Sequence, residues 1–420
     1  MLLRSTEVFL NTDLIGVLSL HKGNKLRFDY DSPYASNPQS IPLSYSMPLT
    51  EQTHGDRIVR NFLWGLFPDS EYVIREWARE LQVTTTHPYD LAVGIGHDFA
   101  GAVYFGNPSE TESELQPLSQ RKLVELIDEL GRDPARSRVD ATQGRFSLAG
   151  AQTKTALRKI GKKWYLPTGL EPTTHILKPM LKTHPDDYAY NEHYCHTLAA
   201  RIGLQSAKSQ VEQIGGHTVF ISTRYDRFAL PDGKLIRLHQ EDTCQALGVH
   251  PSEKYESDGG PSIPAIMKLL LSAKDGQVAR RRFIDAVLFN YLIVGTDAHA
   301  KNYSLIYGRG GDFTLAPLYD LSSYLPHVKQ RKDMRLAMRI GKDYKDPSIL
   351  KSNFMKLCKE CKYPEEQLFT QAREMIKKIL VEAPKLKPEL LMQKCWNATL
   401  EKLSDRLLER TEKSAPIFDV

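Results

Sequence analysis

The hydrophobic spacing of this chain changes character once, near residue 241, and that change constrains the fold more than any single motif. Between 145 and 226 the apolar residues alternate in short runs, RFSLAG, KTALRKI, KWYLP, THILKPM and HTVFISTRYD, each with the length and period of a strand. One helical stretch, DDYAYNEHYCHTLAARIGL, interrupts them and ends at Gly203. From 241 onward the spacing is mostly helical, in IPAIMKLLLSA, QVARRRFIDAVLFNYLIV and two long stretches toward the carboxyl terminus. A strand-rich unit with one helix, joined to a helical unit, reads as an α+β chain with two lobes, 121–240 and 241–420. An amino-terminal accessory α/β subdomain, 1–110, precedes them. It mixes the strand-like EVFLN, IGVLSL and KLRFDY with the amphipathic RIVRNFLWGLFPDSEYVIREWARELQ, in which Asp69 and Ser70 restart a helix after Pro68. Polar, acidic GNPSETESELQPLSQ, 106–120, reads as a linker, and RKLVELIDELGRDP as a helix that stops at Gly131 and Pro134.

Composition narrows the class without naming it. Apolar residues make up 41% and charged residues 25%, the balance of a soluble globular protein. No apolar run approaches the roughly 20 residues of a membrane span. The opening MLLRSTEVFLNTDLIGVLSL alternates like a strand and lacks the apolar block of a signal peptide, so a cytoplasmic chain without a membrane partner is expected. Five cysteines, at 195, 244, 358, 361 and 395, are too few for a disulfide scaffold. CKEC at 358–361 matches half of a zinc site, but with no second pair nearby the two read as helix-surface thiols. A net charge of +5 is compatible with an acidic or nucleic-acid partner and selects neither.

The chemistry gathers in IVGTDAHAKNYSL. The helix ending in LFNYLIV is apolar nearly all round, so it should be buried, with Gly295 as its natural stop. The segment TDAHAKN then leaves a rigid support, and YSLIYGRGGDFTLAP reads as a hairpin with a Gly-rich turn. Pairing of 303–307 with 313–317 would carry Asp320 back beside Asn302. Asp297, Asn302 and Asp320 would then meet as phosphoryl transfer requires, one carboxylate for the incoming hydroxyl and two oxygen ligands for magnesium. The five-residue interval from Asp297 to Asn302 matches the catalytic loop of protein kinases. A hydrogen-bonded turn would account for the same residues.

Two upstream features bear on that choice. In SLAGAQTKTAL, Gly150 lies between Ala149 and Ala151, small residues that let backbone N–H groups approach a phosphate. In THILKPM, Lys178 stands in an apolar strand and either pairs with phosphates or snorkels to water. Glu192 on the following helix either fixes Lys178 or lies on a solvated face.

FSLAGAQTKTAL, PTTHILK, YNEHYC, QEDTCQALG, KYESDGGP, GTDAHAKN and LAPLYD occur here in the order and spacing of the HipA family, with NFLWGLFPDS and DLAVGIGHDFAGAV resembling its accessory domain. The resemblance runs from about residue 7 to at least 340; beyond 345 there is a compatible helical tail. It implies a two-lobed protein-kinase-like fold with a strand-rich N-lobe and an all-helical C-lobe. It also implies an ATP- and Mg2+-dependent serine/threonine protein kinase, the toxin of a type II toxin–antitoxin module. By the same similarity Asp297 is the catalytic aspartate, with His299 in its loop near the nucleotide, and Asn302 and Asp320 are the magnesium ligands. Ala149, Gly150, Ala151, Gln152, Lys154, Lys178, Tyr225 and Tyr319 fall on the nucleotide site. Ser147 takes the place of the family's autophosphorylated serine. At 223 this chain carries Thr where the hinge of a close family member has Glu, so backbone groups rather than that side chain would meet adenine. The implied partners are a small helix-turn-helix antitoxin, operator DNA through it, and a protein substrate for which glutamyl-tRNA synthetase is the family precedent. The basic run VKQRKDMRLAMR, 328–339, either receives that substrate or is a solvated charge run. A corepressor role and a small-metabolite kinase are the competing readings.

Overall fold

The structure, a computed structural model, describes residues 1–83, 86–108, 112–137, 147–180, 187–231, 233–330 and 334–420. Two compact units make up the chain. Met1–Pro179, Gln213–Ser252 and Ser304–Phe313 form the first, and Met180–Glu212, Glu253–Tyr303 and Thr314–Val420 form the second.

The first unit opens with an antiparallel sheet in the order Thr53–Gly55, Lys25–Tyr30, Asp13–His21, Leu2–Leu10, Val103–Phe105. Helices Asp56–Gly65 and Glu71–Glu80 bury Val59, Phe62, Leu63 and Trp77 in one core with Val8, Leu18 and Phe28 of that sheet. Pro68 separates the two helices, and the Ser70 hydroxyl caps the second by accepting from the Val73 N–H. A further sheet sets His217–Thr223, His175–Pro179, Thr155–Ile160, Lys163–Pro167 and Leu115–Leu118 side by side, all antiparallel. Helix Gln120–Arg132 covers it, burying Leu123, Leu126, Ile127 and Leu130 against Leu157, Leu177 and Val219.

Two expectations are corrected here. Within the proposed linker, Leu115–Leu118 is a strand, at the sheet edge where Pro117 interrupts no second ladder. RFSLAG is not a strand in its described part: Ser147–Ala149 carry no pairing and Gly150 makes one bridge, to Pro68. Residues 145 and 146 lie outside the described residues.

Strand Gln240–Asp242 pairs with Ser304–Tyr307 and buries Glu241. The Glu241 carboxylate accepts from the Ser44 hydroxyl (2.6 Å), the Tyr45 N–H (2.7 Å) and the Tyr307 hydroxyl. Burial pushes this carboxyl up to about 7 from an ordinary 4.5. Folding therefore takes up a proton between those values, so the group's contribution to stability is full below about 4.5 and lost as pH rises through 7. The wild-type chain should lose on the order of 3 kcal/mol more than Glu241→Gln between pH 5 and 8. Urea melts of both at the two pH values test this; parallel slopes would refute it.

The second unit is built on helices Asp187–Arg201, Ile263–Leu269, Gly276–Ile293, Lys351–Cys361, Glu365–Met392 and Ala398–Ser414, with one hairpin, Arg335–Ile340 and Asp343–Lys345. Helix Gly276–Ile293 is buried on nearly every side through Phe283, Ile284, Val287, Leu288, Tyr291 and Leu292, as its all-round apolarity predicts. Cys358 and Cys361 are buried rather than surface thiols, and burial pushes both up to about 12, which keeps them protonated and unreactive. No helix among the described residues is long and apolar enough to cross a membrane.

Candidate active site

In the second unit, loop 294–303 starts where the buried helix stops, and several groups pin that stop. Arg410 donates to the carbonyls of Tyr291 (2.8 Å) and Leu292 (3.0 Å), and the Ser323 hydroxyl to that of Ile293 (2.5 Å). These bonds satisfy carbonyls that a helix end leaves open. Ser323 is itself clamped by the Asn191 carboxamide, whose Nδ2 donates to the Ser323 carbonyl (2.7 Å) and whose Oδ1 accepts from its N–H (2.9 Å). The left-handed residue at the helix end is Val294 (φ 55°), not Gly295. A β-branched residue there stores roughly 1–3 kcal/mol of backbone strain, which this clamping must hold. Gly295 is required by space instead: a Cβ on it would stand 2.2 Å from Asn290 Oδ1.

Asp297, His299 and Asn302 lie on this support. Asp297 keeps a 57% exposed side chain, with Oδ1 accepting from the Tyr255 hydroxyl and lying 3.9 Å from His299 Nε2. Asn302 is buried, and its Nδ2 donates to the Asp297 carbonyl (2.7 Å), which leaves Oδ1 as the accepting end. Strands Ser304–Tyr307 and Phe313–Leu315 are neighbours, as the hairpin reading required, and the Tyr319 hydroxyl donates back to the Lys301 carbonyl (2.6 Å). Asp320, in left-handed backbone (φ 57°), acts on the same imidazole as Asp297. Burial holds His299 below its ordinary value against the upward pull of Asp297 and Asp320, with Lys254 and Lys301 also pressing it down. Its Nδ1 has no hydrogen-bond partner among the described residues. Asn302 Oδ1 and the Asp320 carboxylate are oxygen donors of the kind that a hard cation such as magnesium takes. Among the described residues no group of three or more His, Cys, Asp or Glu could cage a metal unaided.

The first unit carries the remaining predicted residues. Gly150 has φ 107° and accepts at its carbonyl from the Asp69 N–H (3.3 Å). Lys154 curls over the loop, its Nζ donating to the Ala149 carbonyl (2.6 Å), and a Cβ on Gly150 would meet that flexible end at 2.6 Å. Ala151 is exposed and Gln152 half-buried. Ser147 is fully buried, its hydroxyl donating to the Leu66 carbonyl (2.7 Å) and its N–H to that of Asp98 (3.2 Å). Lys178, opposite Phe220 in register, is buried with Nζ 5.4 Å from that ring, so it does not snorkel to water. Glu192, in the second unit, is buried too, which removes the solvated-face reading.

In the segment expected to be the hinge, the Tyr225 hydroxyl donates to Gln240 Oε1. The three charged members of RYDR are structural. Arg224 binds Asp226 (3.0 and 2.8 Å), and Arg227 binds Asp98 (2.8 Å) and Asp226 (2.9 Å), all nearly solvent-free. Burial opposes the charges on Asp98 and Asp226, yet Arg224 and Arg227 outweigh it and hold both carboxyls low, Asp226 at about 2. Sequence reasoning missed Asp98; an acid inside the apolar GIGHDFAGAV was the available signal. It missed Tyr255 and Asn191 as well, which stood only as members of KYESDGGP and YNEHYC. In the basic run, Arg339 binds Glu256 within its own unit (2.7 Å, with its N–H at 2.8 Å), whereas residues 331–333 lie outside the described residues.

Comparison with known proteins adds ancestry to this geometry. The profile of the HipA N-terminal domain matches residues 6–106, and that of the HipA-like C-terminal domain matches 146–385. The Sinorhizobium fredii protein Y4mE, which carries a kinase name, is 34% identical over 353 residues, 81% of this chain and 82% of that one. The serine/threonine-protein kinase toxin HipA of Shewanella oneidensis is 29% identical over 328 residues, 74% and 72% of the two chains. A chain in the solved complex of Shewanella oneidensis MR-1 HipA, HipB and operator DNA superposes with a TM-score of 0.84 over 99% of this chain and 98% of that one. At 24% identity this last match is a likeness of fold.

Proposed function

The chain belongs to the HipA family of serine/threonine kinase toxins, and on that premise we propose that it moves the γ-phosphoryl group of ATP to protein serine or threonine hydroxyls, its own Ser147 included. The substrate oxygen attacks the γ-phosphorus, the bond to the β–γ bridging oxygen breaks with its electron pair leaving on ADP, and the Asp297 carboxylate takes the hydroxyl proton. Lys178, Lys154 and the backbone of Ala149–Gln152 are assigned to the ATP phosphates, and Tyr225, His299 and Tyr319 to the rest of the nucleotide. Asn302 and Asp320 are the residues that would hold magnesium, which when bound neutralises charge on the phosphates. The observation that supports this reading is the tie within one loop, Asp297 Oδ1 lying 3.9 Å from His299 Nε2 and Asn302 Nδ2 donating to the Asp297 carbonyl.

Autophosphorylation would be self-limiting. Phosphate adds about −1.5 to −2 charges at neutral pH. Ser147 sits in a fully buried place with its hydroxyl committed to Leu66, so the modified loop could not return there. Incubation with labelled ATP and magnesium, followed by peptide mass spectrometry, should place phosphate on Ser147, and Ser147→Ala should lose that label. Labelling of other peptides only would overturn the assignment.

The reading extends to a cytoplasmic toxin held by a small helix-turn-helix antitoxin on operator DNA, supported by the fold shared with a chain of the HipA, HipB and operator complex. Glutamyl-tRNA synthetase is the proposed target, its phosphorylation arresting translation and growth. That same likeness favours a second activity, corepression through the antitoxin. Operator binding that survives Asp297→Asn while toxicity disappears would separate the two.

A further inference from the structure

We propose that Tyr255 is a positioning residue for phosphoryl transfer, its hydroxyl holding Oδ1 of Asp297 so that Oδ2 is presented to the incoming hydroxyl. The inference rests on the role assigned above to Asp297. It starts from a contrast in rigidity inside the second unit. Asp297 lies on a short loop with 57% of its side chain exposed, where a carboxylate is free to turn among rotamers. Tyr255, which donates to it at 2.5 Å, is over-determined.

The backbone around Tyr255 closes on itself. The Gly260 N–H donates to the Tyr255 carbonyl (3.0 Å), Gly259 takes the left-handed conformation (φ 98°), and a Cβ on Gly260 would meet the Glu253 carbonyl oxygen at 2.0 Å. Both glycines of KYESDGGP are thus demanded by the turn that carries the tyrosine. The preceding Lys254 carbonyl accepts from the Ala300 N–H (3.3 Å), joining this turn to the catalytic loop by its backbone. The following Glu256 is held by Arg339 through two bonds, Nε at 2.7 Å and the backbone N–H at 2.8 Å. The Tyr255 ring meets the His299 ring edge-on, centroids 5.0 Å apart at 86°. Phenol, imidazole and carboxylate therefore form one contact set, in which the rigid partner dictates the rotamer of the loose one.

A carboxylate has two oxygens, and a fixed donor on the first leaves the second to accept a proton. Loss of such orientation is worth up to about a hundredfold in rate. Tyr255→Phe keeps the ring, its packing on His299 and the turn, and removes the donor alone.

The test uses the full-length chain with labelled ATP and magnesium, reading the rate constant for Ser147 labelling and the ATP concentration that half-saturates it. Tyr255→Phe should lower the rate constant about ten- to a hundredfold, with half-saturation and the thermal midpoint unchanged. Added to Asp297→Asn, it should reduce the residual rate no further, because a device that acts through the carboxylate has nothing left to position. Full-rate labelling by Tyr255→Phe beside an inactive Asp297→Asn would overturn this inference and leave the role of Asp297 standing. Undiminished labelling by Asp297→Asn would overturn both.

Discussion

Asp297→Asn should cut Ser147 labelling by about a hundred- to ten-thousandfold, the range expected when a general base and its positioning are lost together. The substitution is close to isosteric, and the carboxamide oxygen can still accept from the Tyr255 hydroxyl that now binds Oδ1. What disappears is the capacity to take the proton as the substrate oxygen bonds to phosphorus. Because Asp297 is mostly exposed, the thermal midpoint should hold. Asn302 and Asp320 remain, so half-saturation by ATP should hold as well. Residual labelling within tenfold of wild type would show that proton removal by this carboxylate is not needed.

The largest expected loss of stability is at Asp98. Its carboxylate binds Arg227 (2.8 Å) and lies 3.5–3.6 Å from Arg237 and Arg224, in a cluster that excludes nearly all solvent. Asp98→Ala leaves these guanidinium groups with Asp226 as their remaining cluster carboxylate. Removing one partner of a buried ion pair typically costs about 3–5 kcal/mol. Urea denaturation of wild type and variant measures it, and a loss below about 1 kcal/mol would mean the cluster relaxes or admits water. The same cluster sets an acid limit. Asp98 and Asp226 titrate below their unfolded values, so their contribution is full above about pH 4 and disappears as pH falls toward about 2 for Asp226. Glu241 works in the opposite sense, losing its contribution as pH climbs through 7. Together these groups favour mildly acidic conditions.

Periodicity and local punctuation were enough to read most of the elements. The switch from alternating to helical spacing marked the strand-rich and helical stretches, Ser70 announced a helix start, and the Gly-rich turn after YSLIY announced the hairpin that returns Tyr319 to Lys301. The ordered motifs were enough for the family. These features are legible because they depend on neighbours two to four positions apart, where backbone geometry alone decides which side chains share a face. Local reading failed where a partner came from far along the chain. LQPL, inside a stretch that is polar as a whole, became an edge strand because a neighbour was there to pair with it. Val294 rather than Gly295 took the left-handed place because Arg410 and Ser323 hold the helix end. Lys178 and Glu192 are buried, though each sequence pattern also allowed a solvated side chain. Tyr255 lies 42 positions from Asp297, Arg227 lies 129 from Asp98, and Asn191 lies 132 from Ser323. Sequence by itself determined the family and most of the elements on which the proposed site residues ride. Only the tertiary structure decided what steadies them, because contacts across such separations are set by how the elements pack, and no local period encodes that.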